Sequence, residues 1–138
     1  MAEKRRDQPT DSSTARGRRA ESLAARYLFA QGMTILARNV RAGCGEIDLI
    51  ARDGDQIVFV EVRSRRRGAR FAAAATIDRI KRQRLVAAAS AWLARHGMSR
   101  ASCRFDVVAI ETVACGHRRG DRLQHIKGAF VDDDEEIS

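Results

Sequence analysis

A short stretch of the sequence, residues 45–63, concentrates side chains that could bind a metal ion. The candidates are the carboxylates of Glu46, Asp48 and Glu61, and one cation, Arg63, accompanies them. Carboxylate oxygens are hard ligands, which favour Mg²⁺ or Mn²⁺ over softer metals. If the chain brings the three carboxylates together in a partly dry cleft, their repulsion is relieved only by protonation or by a bound cation. The chemistry to expect is therefore that of a divalent metal held by oxygen ligands.

The same stretch predicts a β-hairpin, which decides whether the carboxylates share a face. Asp53-Gly54 is typical of a two-residue hairpin turn. This turn would place Asp48 opposite Phe59 and Glu46 opposite Glu61. Opposed residues and residues two apart share a face, so the charged side chains would lie within roughly 5–8 Å of one another. The other face would carry Ile47, Leu49, Val58, Val60 and Val62.

A second interpretation of this surface stays open. The carboxylates could belong to a solvated strand face whose charges are balanced by nearby arginines. The shared face and the Glu-x-Arg spacing of Glu61 and Arg63 favour the metal site for the set as a whole.

The elements that position these residues can be predicted from apolar periodicity and from glycine breaks. They are a helix over 18–31, a strand over 33–41, the hairpin, a helix over 73–96, and strands over 103–112 and 123–130, with a polar loop over 114–122. The order α-β-β-β-α-β-(β) predicts an α/β fold with a mixed sheet flanked by helices. We expect a disordered tail over residues 1–15, one domain over 16–131 and an acidic tail over 132–138.

Two cations interrupt the apolar face of the second helix. Lys81 and Arg84 fall within the arc that its apolar side chains define. That arc consists of Ile77, Ile80, Leu85, Ala88 and Trp92. Because an unpaired buried charge is costly, either the cations extend past the sheet edge to solvent, or the first turns of the helix overhang the carboxylates. We favour the second arrangement.

Two further charged features have alternative interpretations. Glu21 lies on the apolar stripe of the first helix, at the edge of its buried face and in its first turn. Either it only interacts favourably with the helix dipole, which we favour, or it has a role in the site. The segment 64–70 predicts a basic loop, which is either a solvated charge run or a phosphate-binding segment beside the carboxylates. Its arginines are Arg65, Arg66, Arg67 and Arg70.

The charge of the whole chain favours a polyanionic partner. The formal net charge is +8, and residues 132–138 contain five acidic and no basic side chains, which leaves +13 for residues 1–131. Basic side chains release condensed counterions when they neutralise phosphates, so such a body suits nucleic acid. The alternative is that the charge only keeps the protein soluble.

Other residue types do not suggest a second kind of site. The three cysteines include no Cys-x-x-Cys pair, which fits reduced thiols rather than zinc or disulfides. The three histidines lack metal-ligand spacing and are expected to be solvated or structural. There is no apolar signal core and no membrane-length apolar run. We expect a cytoplasmic protein with no membrane partner.

The motifs together resemble the YraN-like proteins of bacteria, often called endonuclease-like. These are placed with the restriction-endonuclease-like PD-(D/E)xK superfamily, which includes archaeal Holliday-junction resolvases. The resemblance covers residues 17–130. It rests on Gly-x-x-x-Glu at 17–21, Gly-Glu-Ile-Asp-Leu-Ile at 45–50, Val-Phe-Val-Glu-Val-Arg at 58–63, the Lys81 helix, Arg-Phe-Asp at 104–106 and Ala-Phe at 129–130.

The resemblance implies an active site for hydrolysis of phosphodiesters. In it, Asp48 and Glu61 hold the divalent metal together with the carbonyl oxygen of Val62, and Glu21 approaches the same site. At the position of Arg63 the superfamily usually has a lysine, and that lysine orients or activates the attacking water.

The arginine at that position changes what the site can do. Arginine keeps its proton near neutral pH, so Arg63 could stabilise charge but could not act as a base. Lys81 is then a second candidate for the catalytic cation, because the same cleft could contain it.

We therefore expect a nucleic-acid-binding protein that cleaves branched or otherwise structured DNA with Mg²⁺ or Mn²⁺, and DNA is favoured over RNA. The expected nucleic-acid contacts are Arg65, Arg66, Arg67, Arg70 and Arg84. One alternative is a nuclease-derived binding module without turnover, and another is an adaptor without nucleic-acid function. Cutting paired strands of a junction would require a homodimer, although no segment of the sequence indicates a dimer surface.

Overall fold

The fold, taken from a computed structural model, is described for residues 11–43, 45–66, 77–115 and 118–130. Its elements are α1 (Asp11–Ala30), β1 (Thr34–Ala42), β2 (Gly45–Asp53), β3 (Gln56–Arg66), α2 (Arg79–Arg95), β4 (Cys103–Cys115) and β5 (Arg118–Phe130). The five strands form one sheet in the order β1-β2-β3-β4-β5. Neighbouring strands are antiparallel except for β3 and β4, which are parallel. The predicted mixed α/β architecture is confirmed.

Helices cover both faces of this sheet. One face packs against α2 through a cluster that includes Ile50, Phe59, Leu85, Trp92 and Val107. The other packs against α1 through a cluster that includes Ala24, Leu28, Leu49, Val60 and Ile110. Because the central strands are buried on both sides, they are apolar almost throughout, and the charged residues within them need a specific reason.

The hairpin turn lies one residue later than predicted. Asp53 pairs with Gln56, so the loop residues are Gly54 and Asp55. Gly54 has φ of 63°, a left-handed conformation that glycine adopts without steric cost. The predicted dipeptide therefore does mark the turn, but its glycine takes the first loop position instead of the second.

This register changes which residues face each other. Phe59 pairs with Ile50 instead of Asp48, so the predicted pairing was wrong. Continued by two residues, the same register sets Asp48 across from Glu61. Since the shift is an even number of residues, both carboxylates keep their predicted face and come closer together.

Strand β2 loses its regular alternation at Asp48. Ile47 packs in the α2 cluster and Leu49 in the α1 cluster, so the prediction that both line one face was wrong. The register of β1 and β2 sets Asn39 opposite Asp48, and Asn39 has φ of 51°. A left-handed residue redirects a strand, which accounts for the change of face at this point.

Several predicted boundaries differ from the structure. Helix α1 begins at Asp11, so Glu21 lies in the helix interior and not in its first turn. Strand β3 continues to Arg66, so Arg65 and Arg66 are not in a loop; Arg67 and Arg70 lie outside the described residues. Pairing of this segment with β4 supplies backbone hydrogen bonds that its polar composition does not reveal.

The predicted polar loop over 114–122 is mostly strand. Strand β4 runs to Cys115 and β5 starts at Arg118, so the two form a long antiparallel hairpin. A cross-strand ion pair joins Glu111 Oε1 to Arg122 Nη1 at 3.2 Å. Charged cross-strand pairs thus extend the hairpin beyond its apolar part.

Helix α2 begins later than its predicted start. Its first residue is Arg79, and Asp78 is an extended N-cap whose side chain accepts the N–H of Lys81 at 2.8 Å. Residues 77 and 78 are not helical, and 71–76 lie outside the described residues. Gly97, with φ of 68°, follows the last turn as predicted. Neither described helix combines the length and apolar character needed to cross a membrane.

Candidate active site

An open pocket lies between the first turns of α2 and the start of β2. Its lining includes Glu46, Asp48, Glu61, Ile80, Lys81 and Arg84. The three predicted carboxylates therefore share one pocket with two predicted cations. The overhang of α2 above the carboxylates, which we favoured from the sequence, is the arrangement observed.

Asp48 is the residue whose ionisation is most perturbed. Its Oδ2 accepts a hydrogen bond from the N–H of Val62 at 2.8 Å. Burial, and next the charge of Glu61, raise the pKa of Asp48 to about 7, although the Val62 hydrogen bond opposes this shift. Near neutral pH the pocket therefore holds a carboxyl group that would ionise readily if a cation were beside it.

Glu61 is only 5% exposed and faces two cations. Lys81 Nζ lies 2.8 Å from Glu61 Oε2, and Arg63 Nη1 lies 3.9 Å from the same oxygen. The Nε of Arg63 is buried and has no hydrogen-bond partner among the described residues. The Arg63 guanidinium therefore has one N–H donor near Glu61 that the described residues do not use.

Glu46 differs from the other two carboxylates. It is exposed and pairs with Arg41, whose Nε lies 2.9 Å from Glu46 Oε2. This is the solvated strand face that we kept as an alternative. The two interpretations thus apply to different residues: Glu46 is a surface ion pair, whereas Asp48 and Glu61 are withdrawn from solvent.

Glu21 approaches this group from α1. It is half-buried and does not line the pocket, but its negative charge contributes to the raised pKa of Asp48, after burial and Glu61. Its influence on Asp48 is electrostatic.

Close packing at Gly45 fixes the distance between α2 and the sheet. A Cβ on Gly45 would lie 2.6 Å from the carbonyl oxygen of Arg84 and 3.3 Å from the Cβ of Ala88. The helix backbone therefore rests directly on the start of β2. This contact holds Lys81 within reach of Glu61, a role for Gly45 that the sequence analysis missed.

A second charged cluster lies within the sheet, at the fully buried Asp106. Its two oxygens accept Arg104 Nε at 2.9 Å and Nη2 at 3.1 Å, and His125 Nε2 lies 2.8 Å from Oδ2. The N–H of Gly128 donates to Oδ1 at 3.0 Å. Burial would raise the pKa of Asp106, but the hydrogen bonds from His125 and Arg104 outweigh it and lower the pKa.

This cluster is structural because it joins β4 to the end of β5. The expectation that His125 is a structural histidine is thereby met. The sequence analysis did not assign Asp106 a partner, although an aspartate between the apolar residues Phe105 and Val107 was a signal that one is needed.

The donor set for a divalent cation is small. Among the described residues, no group of three or more His, Cys, Asp or Glu side chains is arranged to hold a metal. Asp48 and Glu61 offer carboxylate oxygens in one pocket. The pKa of Asp48 is raised mainly by burial and next by the negative charge of Glu61, and a cation would offset the second cause. Hard oxygen donors fit Mg²⁺ or Mn²⁺, so the residues present are compatible with such an ion.

Comparison with known proteins identifies relatives over most of the chain. A UPF0102 protein of Halorhodospira halophila is 55% identical over 115 residues, 83% of this chain and 86% of the relative. One from Dechloromonas aromatica is 47% identical over 124 residues, 90% of this chain and 95% of the relative. A family model described as "Uncharacterised protein family UPF0102" matches residues 20–110. The chain therefore belongs to the UPF0102 family.

Proposed function

We propose that this protein is a metal-dependent nuclease of the PD-(D/E)xK type that hydrolyses phosphodiesters in branched or structured DNA with Mg²⁺ or Mn²⁺. One observation carries the proposal: the partly buried Asp48 and the buried Glu61 line one open pocket, where Lys81 contacts Glu61 and Arg63 lies 3.9 Å from it. Such an arrangement is costly for stability, which favours a functional reason for it.

The proposed metal ligands are Asp48, Glu61 and the carbonyl oxygen of Val62. A bound divalent ion would polarise the scissile phosphate and make its coordinated water more acidic. Asp48 would contribute its full negative charge once its proton is displaced by the ion. The Val62 N–H would continue to fix the orientation of that carboxylate.

The cations beside Glu61 have a separate proposed role. Lys81 and Arg63 would stabilise the negative charge that develops on the phosphate oxygens during attack by water. Arg63 would act through its Nη1, which lies 3.9 Å from Glu61 Oε2, since its Nε is buried. Because arginine does not release its proton, Arg63 would position and stabilise rather than act as a base.

The charges around the pocket suit a phosphate backbone. Arg41 and Arg84 belong to the pocket lining and are exposed. With the excess of basic residues over 1–131, these side chains would attract nucleic acid and orient it across the carboxylates. If the substrate is a four-way junction, we propose a homodimer, since paired cuts need two sites.

A second candidate is a binding module on the same fold that lacks turnover. The observation in its favour is the contact of Lys81 with Glu61 at 2.8 Å, which balances this carboxylate without a metal. The arginine at position 63, where the superfamily usually has lysine, also favours a binding module without turnover. In this case the basic residues would bind nucleic acid and the carboxylates would have no catalytic role.

Metal-dependent thermal stability tests the ion site directly. Millimolar Mn²⁺ should raise the Tm of the wild type by about 2–5 °C, because the ion binds only the folded state. Asp48→Asn should abolish this shift. Glu46→Gln is the matched control from the same pocket and should retain it, and equal shifts in all three proteins would refute the site.

Cleavage assays distinguish the two candidates. Duplex, single-stranded, flap and four-way DNA should be incubated with wild type and with Glu61→Ala in Mn²⁺. We expect cleavage of structured DNA by the wild type and none by the variant. Salt-sensitive binding without any cleavage would support the binding module, and undiminished cleavage by the variant would reveal a contaminant.

A further inference from the structure

The pocket contains an exposed apolar side chain that metal-dependent hydrolysis does not require. Ile80, in the first turn of α2, is 61% exposed and lines the same pocket as Asp48 and Glu61. The apolar arc of the helix predicts that Ile80 packs in the core, and this prediction is wrong. Within the described part of the chain, the other large apolar residue exposed to this degree is Phe29, which is not in the pocket lining.

The exposure of Ile80 is fixed by the helix that contains it. Ile77, just before the helix, is buried in the α2 cluster. Asp78 then caps the helix through the N–H of Lys81, and Lys81 contacts Glu61. With the residues on both sides anchored, Ile80 cannot turn into the core without breaking the cap or the ion pair.

The neighbours of Ile80 suggest what it contacts. Arg84 lines the same pocket and would attract phosphates. Lys81 and Arg41 line it too, and each of them also pairs with a carboxylate there. The apolar side chain of isoleucine makes no favourable interaction with a phosphate, but it can pack on the face of a base. In a continuous duplex these faces are covered by stacking, so an aliphatic wedge must first unstack two bases. At gaps, branches and mismatches the stack is already interrupted, so this cost is smaller.

We propose that Ile80 is a wedge that packs on an unstacked base, so that the pocket selects nucleic acid with an interrupted base stack. This inference rests on the proposed function, because the phosphates must first be bound beside the carboxylates. Ile80 would thus be a specificity-determining residue, while the surrounding cations provide affinity that does not depend on the structure of the substrate.

Equilibrium binding in the presence of EDTA tests the wedge without catalysis. The probes are a continuous duplex and a gapped duplex of equal length, with 2-aminopurine beside the gap. Ile80→Ala should weaken binding to the gapped duplex by about tenfold and leave the continuous duplex unchanged. The fluorescence change of 2-aminopurine on binding should also be lost.

Two control variants make this result specific. Phe29→Ala removes the other exposed apolar side chain and should leave both affinities unchanged. Arg84→Ala should weaken binding to both duplexes and reduce the salt slope by about 1. Circular dichroism should show that Ile80→Ala is folded, as expected when an exposed helical residue is replaced by alanine.

The outcomes separate this inference from the proposed function. If the wild type prefers the gapped duplex and Ile80→Ala retains the preference, the wedge is wrong and the proposed function stands. If Phe29→Ala loses the preference to the same extent, the wedge is also wrong. If the wild type binds neither duplex in a salt-sensitive way, both proposals fail.

Discussion

At the scale of single residues, burial of the Asp48 carboxyl group lowers the stability of the fold, and the same group could bind a cation. Its carboxyl group is largely buried and lies beside Glu61, which is buried too. Apolar packing does not explain two such groups in adjacent strands. A site of this kind lowers stability in the absence of its ligand, and that cost can be measured.

The pH dependence of unfolding reports this cost. The pKa of Asp48 rises from 3.8 to about 7 in the fold, so its contribution to stability is fully present below pH 3.8 and is lost as the pH rises through about 7. Asp48→Asn removes the ionisation and can still accept the Val62 N–H. In EDTA at pH 8 it should raise the free energy of unfolding by about 2 kcal/mol.

Urea unfolding at two pH values checks this expectation. The gain from Asp48→Asn should shrink towards zero at pH 4.5, where the wild-type carboxyl is already protonated in the fold. Glu46→Gln should change stability by less than about 0.5 kcal/mol at either pH, because its ion pair is exposed. A loss of stability at pH 8, or a gain independent of pH, would contradict the raised pKa.

At the scale of elements, the contact of α2 with the start of β2 positions the catalytic candidates. Because the carbonyl of Arg84 is part of the helix backbone, it cannot move aside alone to admit a Cβ at Gly45. Gly45→Ala should therefore displace the helix and cost about 1–3 kcal/mol, in the range of overpacked sites.

Chemical denaturation with a matched glycine tests this contact. Gly17 lies within α1, and a Cβ added to it would have no atom of the described residues within 4 Å. Gly17→Ala should stabilise the protein by about 0.5–1 kcal/mol, since alanine favours a helix interior. The two substitutions should thus have opposite signs, and a neutral Gly45→Ala would refute the close packing.

The buried cluster at Asp106 gives a prediction for the β4–β5 hairpin. Asp106→Asn leaves Arg104 and His125 facing a neutral side chain in the interior, so we expect a loss of about 3–5 kcal/mol. Asp53 binds the outer end of the same Arg104 at 3.0 Å and is far more exposed. Thermal unfolding of Asp53→Asn should reveal a loss below about 1 kcal/mol; equal losses would contradict a central role for Asp106.

The sequence predicted the elements well because their signals are local. The turn dipeptide and the period-two alternation suffice to bring Asp48 and Glu61 to one face, and an error of two residues in register does not change that face. The positions of Gly45 and Asp106 depend on partners distant in sequence, which no local pattern contains. The prediction that Ile80 is buried was wrong because helical periodicity alone does not show where the sheet beneath the helix ends.

At the scale of the whole molecule, charge is distributed unevenly along the chain. The five acidic residues within 132–138 reduce the net charge from +13 to +8. If the basic body binds nucleic acid, these charges should lower its affinity through long-range repulsion, whatever conformation the segment adopts. Removing them should therefore strengthen binding without any new contact.

A neutralised tail separates this effect of charge from one of chain length. Changing each acidic residue of 132–138 to its amide should strengthen binding to continuous duplex DNA by about threefold to tenfold at 50 mM salt, and the gain should fall towards zero at 500 mM as screening increases. A chain ending at Val131 should behave in the same way in titrations followed by fluorescence anisotropy. If the truncated chain gains affinity and the neutralised one does not, the tail acts by occupying space, and long-range electrostatics is not the cause.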